Sequence, residues 1–236
     1  MLNGYPSRVK MPPMPTTPVP RRRAAPRAYH HGDLRAALID AAQAWLDARG
    51  AASLTLRELA KAAGVSHAAP YHHFAGLDDL LAAVAARAFA RLADAMADAA
   101  ARARSSAQAL EDIGEAYVRV ALAHPAQFRL MFGPMLARKA EFAELAHEAE
   151  RAFGVLLAAA NAQAPERGLE LALAGWSLSH GVANLAIDGA FEGLPIPKAQ
   201  ARALRKLDPA QLVRRMAGVL LAGAPAASAA GRRRRS

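Results

Sequence analysis

A hydroxyl beside an imidazole is the raw material of nucleophilic catalysis, and Ser177, Ser179 and His180 stand together in one run. Successive positions on a helix point to different faces, so no Ser–His pair follows from that spacing. Glu144 and His147 form one Glu-x-x-His unit, but a di-iron bundle needs two such units and two further glutamates. A solvated pair is the simpler reading. There is no Gly-rich phosphate loop and no His-Glu-x-x-His, and the absence of cysteine excludes disulfides and thiolate metal sites. No catalytic residues, metal or cofactor are therefore expected, and the chain is not read as an enzyme. A different chemistry is open to Ser66, His67, Ala68, Ala69, Tyr71, His72 and His73. Hydroxyls and imidazoles can bond base edges or phosphate, and alanine methyls can pack on thymine. No Arg or Lys is available among them for guanine.

Two short helices would hold those residues. Thr55 with Glu58 three positions on is a capping box, and Leu56, Leu59, Ala60 and Ala63 follow at helical spacing. Gly64 supplies the turn, and Ser66 is a suitable N-cap for a second helix carrying His67, Tyr71, His72 and His73. Helix, Gly-containing turn, helix is the helix-turn-helix unit, whose second helix enters the DNA major groove. Thr55, at the start of the first helix, joins the candidate DNA-binding set. A plain helical hairpin in an all-α enzyme is the alternative. Upstream, Asp33 can cap a helix with Leu34, Leu38, Ala41, Ala42, Trp45 and Leu46 on one face, ended by Gly50. Trp45 is expected to supply most of the apolar area of this three-helix head. After Phe74, Asp78 and Asp79 suit the positive end of a further helix.

These residues carry a resemblance. Leu34 to Leu81 is similar to the N-terminal domain of the tetracycline-repressor (TetR/AcrR) family of bacterial regulators. The similarity lies in Ala41-Ala42, Gly50, Leu54-Thr55, Leu59-Ala60, Ala63-Gly64-Val65-Ser66, Tyr71, His73-Phe74 and Leu80. It implies that Tyr71 and His73 contact phosphate. Leu77 stands where the family usually has a phosphate-contacting Lys. Pro70 replaces an aliphatic residue of the recognition helix and removes an amide, which predicts a loosened or 3₁₀ first turn.

Charge argues less than its total suggests. The formal net charge is +10 and the pI about 10.8. Residues 1–27 carry six bases and no acid, and Arg232 to Arg235 add four more, so everything between is neutral. Residues 28–82 hold Arg35, Arg49, Arg57 and Lys61 against Asp33, Asp40, Asp47, Glu58, Asp78 and Asp79. The basic ends are read as disordered arms, 1–27 and 224–236, suited to non-specific attraction to phosphate. Sparse β-branched residues and abundant alanine predict an all-α protein. It would comprise a three-helix DNA-binding head with the helix-turn-helix at 28–82 and a larger helical ligand-binding and dimerisation bundle at 83–223. The N-terminus has no apolar leader, and no charge-free run is long enough to span a membrane. The expectation is a soluble, cytoplasmic protein.

In the bundle, helices are expected at about 77–104, 106–124, around 128–132, 137–163, 166–188 and 209–223. The helix at 166–188 is apolar on two sides. Trp176, His180, Asn184 and Ile187 share one face; Leu171, Leu178, Val182 and Leu185 share another. Burying both requires either a full core or a second subunit. The second face, with Leu212, Met216, Val219 and Leu220 of the last helix, is the expected dimer interface. His180 is either a packed core histidine or part of a ligand wall with Phe128, Met131, Trp176 and Asn184. Trp176-Ser-Leu-Ser-His180-Gly181 also resembles the Trp-His-Gly signature of one C-terminal domain class of the same family. The two resemblances together imply a homodimer bound to a pseudo-palindromic double-stranded operator, repressing until a small-molecule effector releases it. A tail-driven, non-specific nucleic-acid-binding protein and a helical-bundle enzyme are the rivals.

Overall fold

The computed structural model describes residues 34–50, 54–133 and 138–223, all helix and turn with no strand among them. The basic arms at 1–27 and 224–236, with His30, His31 and Asp33, lie outside the described residues. In the head, α1 (Leu34–Arg49) buries Leu38, Ile39, Ala42, Gln43 and Leu46 and is stopped by Gly50 at φ +69°. Helix α2 (Leu56–Ala62) starts at Thr55, whose hydroxyl accepts the Glu58 amide at 3.1 Å. It ends in a Schellman turn: the Val65 amide reaches the Ala60 carbonyl and the Gly64 amide reaches that of Lys61, with Gly64 at φ +67°.

The expected second helix of the unit is not an α-helix. One 3₁₀ turn, Ala69–His72, follows a bend at His67 and Ala68. Pro70 has no amide to give the Ser66 carbonyl, which instead accepts from Ala69 at 3.1 Å, and the i→i−3 pattern continues through Tyr71 and His73. The Ser66 hydroxyl provides no cap to this turn, whose N-cap is Ala68.

The head core is also not built as expected. Trp45 is only half buried, with the Arg49 guanidinium 4.3 Å from its ring centre. Leu38, Leu46, Leu59, Phe74 and Leu80 fill the interior instead. The indole N–H is itself buried without a hydrogen-bond partner, a cost that half-burying the ring does not remove.

Helix α3 (Leu77–Arg102) belongs to both cores. Leu80, Ala83 and Val84 complete the head, while Ala85, Phe89, Leu92 and Met96 enter the body. The proposed boundary at residue 82 thus falls inside one continuous helix. The body continues with α4 (Ser106–Ala123), α5 (Pro125–Met131), α6 (Ala143–Gln163), α7 (Gly168–Ile187), α8 (Lys198–Leu204) and α9 (Pro209–Gly223). Helix α6 begins at Ala143, six residues later than expected, after a 3₁₀ turn at Lys139–Glu141. Helix α8 lies between 188 and 209, where no helix was expected.

Small side chains set the packing of α7 and α9 on α4. A Cβ on Gly114 would sit 3.2 Å from the Ser179 hydroxyl and 3.7 Å from Val213. The inward face of α9 is Ala210, Val213 and Ala217, so Leu212 is half buried and Met216, Val219 and Leu220 are exposed. Arg214 holds this register through Asp112 and through Glu115 at 3.3 Å. On α7 the buried face is Ala172, Ser179, Val182 and Ala183. Val182, assigned above to a subunit interface, is therefore a core residue of its own chain: alanines beside it let neighbouring helices close over it.

Candidate DNA interface and ligand cavity

The bend and 3₁₀ turn after Gly64 put Ser66, His67, Ala68, Tyr71, His72 and His73 on the surface, with Ala69 half buried. Tyr71 is 62% exposed although it is aromatic. Pro70 and Phe74 point the other way and are buried, so the turn is anchored by an apolar side and presents a polar one. Thr55 is exposed at the start of α2, its hydroxyl spent on the cap. Leu77 is half buried against the head core, a use no Lys could serve as well.

The body contains an open cavity of about 510 Å³ between α3, α4, α6 and α7. Phe89, Tyr117, Phe132, Phe153 and Trp176 stand round it with Leu92, Met96, Leu156, Leu157 and Leu173. Of the five residues expected to form a ligand wall, Trp176 alone is part of it. Phe128 and Met131 face a void of only about 10 Å³ on another side of α5. Asn184 donates its amide to the His180 carbonyl of its own helix at 2.9 Å. His180 lies behind the wall, its Nδ1 2.9 Å from the Tyr117 hydroxyl and its ring 4.7 Å from that of Phe132. Burial holds the imidazole below its ordinary range and so neutral at pH 7, and pushes the Tyr117 phenol up, opposed by the Trp176 indole.

The remaining wall comes from places where sequence pattern is silent. Phe132 immediately follows α5, while Tyr117 and Phe153 lie within α4 and α6. Rings on α3, α4, α6 and α7 meet only once the bundle closes. A second internal void beside Gly114 and Ser179, about 20 Å³, has room for roughly one water.

Cavity and head meet at α5. Gln127 is 2% exposed and makes three hydrogen bonds. It accepts from Arg91 at 2.9 Å and Gln43 at 3.4 Å, and donates to Asp47 at 3.0 Å. Arg87 joins Gln43 and Asp40 in the same network. The sequence reading missed Gln127; its only sign was a polar residue among the apolar ones of a short helix. Two exposed ion pairs also cross from head to body, Arg35–Glu144 at 2.6 Å and Arg138–Asp78 at 2.7 Å.

Two family models match this arrangement. "Bacterial regulatory proteins, tetR family" covers residues 38–84, and "Tetracyclin repressor-like, C-terminal domain" covers residues 110–210. The chain belongs to the TetR family. Among solved structures, a protein of unknown function from Rhodococcus sp. RHA1 is 28% identical. It matches with a TM-score of 0.67 over 84% of this chain and 98% of that one. A TetR from Streptomyces coelicolor is 22% identical, with a TM-score of 0.59 over 80% and 96% of the two chains. A TetR-family regulator from Marinobacter aquaeolei VT8 is 21% identical, with a TM-score of 0.55 over 78% and 92%. The last two likenesses speak for the fold. No curated protein matches significantly. This TetR-family chain is thus an all-α transcription regulator with a helix-turn-helix head and a helical C-terminal domain. Among its described residues no helix is long and apolar enough to cross a membrane, and no cluster of three metal-ligating side chains occurs.

Proposed function

We propose that this TetR-family regulator is a homodimeric repressor, released from a pseudo-palindromic operator when a small molecule fills the cavity between α3, α4, α6 and α7. The observation that carries the reading is the construction of α5. Gln127 ties it to α1 of the head, Phe128 and Met131 seat it in the body core, and Phe132 ends it in the cavity wall. A ligand that displaces the Phe132 backbone would move α5, and through Gln127 would act on the head. It shifts the operator equilibrium by its differential affinity for the two arrangements. Thr55, Ser66, His67, Ala68, Ala69, Tyr71, His72 and His73 make the DNA-facing surface in this proposal.

A dimer is supported by the leucines that one chain leaves in water. Leu185 on α7 and Met216, Val219 and Leu220 on α9 are exposed, Val219 at 76%, with Leu171, Leu178 and Leu212 half buried behind them. A two-fold pairing of these helices would cover them and place two heads on successive major grooves about 34 Å apart.

Anisotropy titration of an operator duplex against a scrambled duplex of equal length tests the reading. A specific regulator prefers the operator by roughly 10³-fold or more. Removing residues 1–27 and 232–236 should lower the salt slope by about 0.9 for each lost phosphate contact and leave that preference intact. Equal affinity for both duplexes would identify a non-specific binder driven by its basic ends.

A further inference from the structure

The cavity is rich in rings: five of its fifteen lining residues are aromatic, in a chain that is 6% aromatic. Phe89 and Phe132 lie 5.4 Å apart at 71°, and Phe153 and Trp176 lie 6.1 Å apart, also at 71°. Phe132 further meets Trp176 at 6.3 Å and 42°. Rings set at steep angles let an inserted planar ring meet one by its face and another by its edge, the two favourable aromatic geometries. Aliphatic ligands gain only area from such a wall.

Charge is confined to two lining residues, Lys139 and Glu150. They are opposite in sign, and Glu150 is exposed. Among the other described lining residues the only polar side chains are the Tyr117 phenol and the Trp176 indole, with His180 hydrogen-bonded to that phenol. Lys139 is half buried and its sign is offset by Glu150, and away from that pair a charge carried in among the rings would lose its hydration with no counter-ion to replace it. The Tyr117 oxygen meets His180 Nδ1 at 2.9 Å and the Trp176 indole, and as a phenol it keeps capacity for one further bond, which suits a neutral hydroxyl or carbonyl. The volume, about 510 Å³, is within the range of small-molecule sites.

We infer that the ligand of this cavity is an uncharged molecule built on fused or linked aromatic rings, with a single neutral oxygen function at its inserted end. The inference rests on the proposal that this cavity is the effector site. Calorimetric titration of the full chain with four probes of one ring skeleton tests it: 2-naphthol, decahydro-2-naphthol, 2-naphthoate and 2-naphthylmethylammonium. The expected result is that 2-naphthol binds about tenfold tighter than its saturated analogue. It should exceed each ion by about tenfold or more. Equal affinity of the saturated analogue, or tighter binding of either ion, overturns the inference.

Phe153 and Trp176 are both half buried, so leucine is tolerable at each, as circular dichroism can check. Phe153→Leu and Trp176→Leu should each cut the naphthol preference several-fold while barely changing decahydro-2-naphthol binding. An unchanged preference overturns the assignment to this cavity. Operator anisotropy separates the two levels. Naphthol that binds with the expected selectivity yet leaves operator affinity unchanged upholds the ligand class and overturns the effector role. A cavity that takes none of the four probes overturns both.

Discussion

Head and body are packed by opposite means. The head closes on large side chains, Leu38, Leu46, Leu59, Phe74 and Leu80, all almost fully buried, and each of its turns is set by a local device. Thr55 caps α2, Gly64 ends it, and the Asp79 carboxylate accepts the Ala75 amide ahead of α3. The body brings helices together through alanine and glycine and leaves its largest rings round an unfilled space. A part that must present fixed groups to DNA gains from dense packing. A part that accepts a guest, as proposed for the body, leaves apolar surface uncovered, and the guest would restore stability by mass action.

The sharpest break in that contrast would come at the face neither core covers. Leu185→Arg should place an unpaired charge in the proposed two-fold interface, where loss of about 3–5 kcal/mol is expected. Sedimentation should then show monomers and operator binding should fail; a variant that stays dimeric moves the interface elsewhere. Next in size is a direct comparison of cores. Leu59→Ala should cost about 2–5 kcal/mol in urea unfolding and abolish operator binding. Leu157→Ala, on the cavity wall, should cost about 1 kcal/mol or less, because its side chain already lacks partners on one side. Similar costs at the two sites would mean that the cavity is closed in solution.

The junction gives a smaller effect. Gln127→Leu takes one hydrogen bond from each of Arg91, Gln43 and Asp47, a loss of about 1–3 kcal/mol. Its diagnostic consequence is uncoupling: ligand affinity by calorimetry should persist while the ligand-induced change in operator affinity shrinks. An unchanged response would remove α5 from the path.

The smallest effect is expected from His180. Its folded-state value is depressed by burial, so below the ordinary histidine range near pH ~6.5 the unfolded chain binds more protons. Stability contributed by the neutral imidazole is therefore full above that pH and is lost as pH falls further. The urea midpoint should drop between pH 7.5 and 5.5, and His180→Gln should flatten the drop. A wild-type midpoint independent of pH would place His180 in water.

Much of the head was legible because its rules are local. Thr55–Glu58, Gly50, Gly64 and the missing amide of Pro70 each act within four residues, so a capped helix, two left-handed stops and a 3₁₀ turn could be anticipated. Trp45 was misjudged because ring size says nothing of which part of the α1 surface the neighbouring helices cover. In the body, helical periodicity located most elements but not their faces. Alanine appears on every side of α7 and α9, so period alone could not say that Val182 and Val213 turn inward while Val219 turns out.

What the sequence by itself determined is therefore the alphabet of elements: helices, their stops, the polar surface of the turn after Gly64, and the family these spell. Only the tertiary structure decided which rings enclose the cavity, that Phe128, Met131, His180 and Asn184 stand outside its wall, and that Gln127 joins it to the head. The physical reason is range. Caps and turns are settled by hydrogen bonds a few residues apart, whereas a cavity is space left by four helices whose separation depends on small side chains such as Gly114 and Ala210.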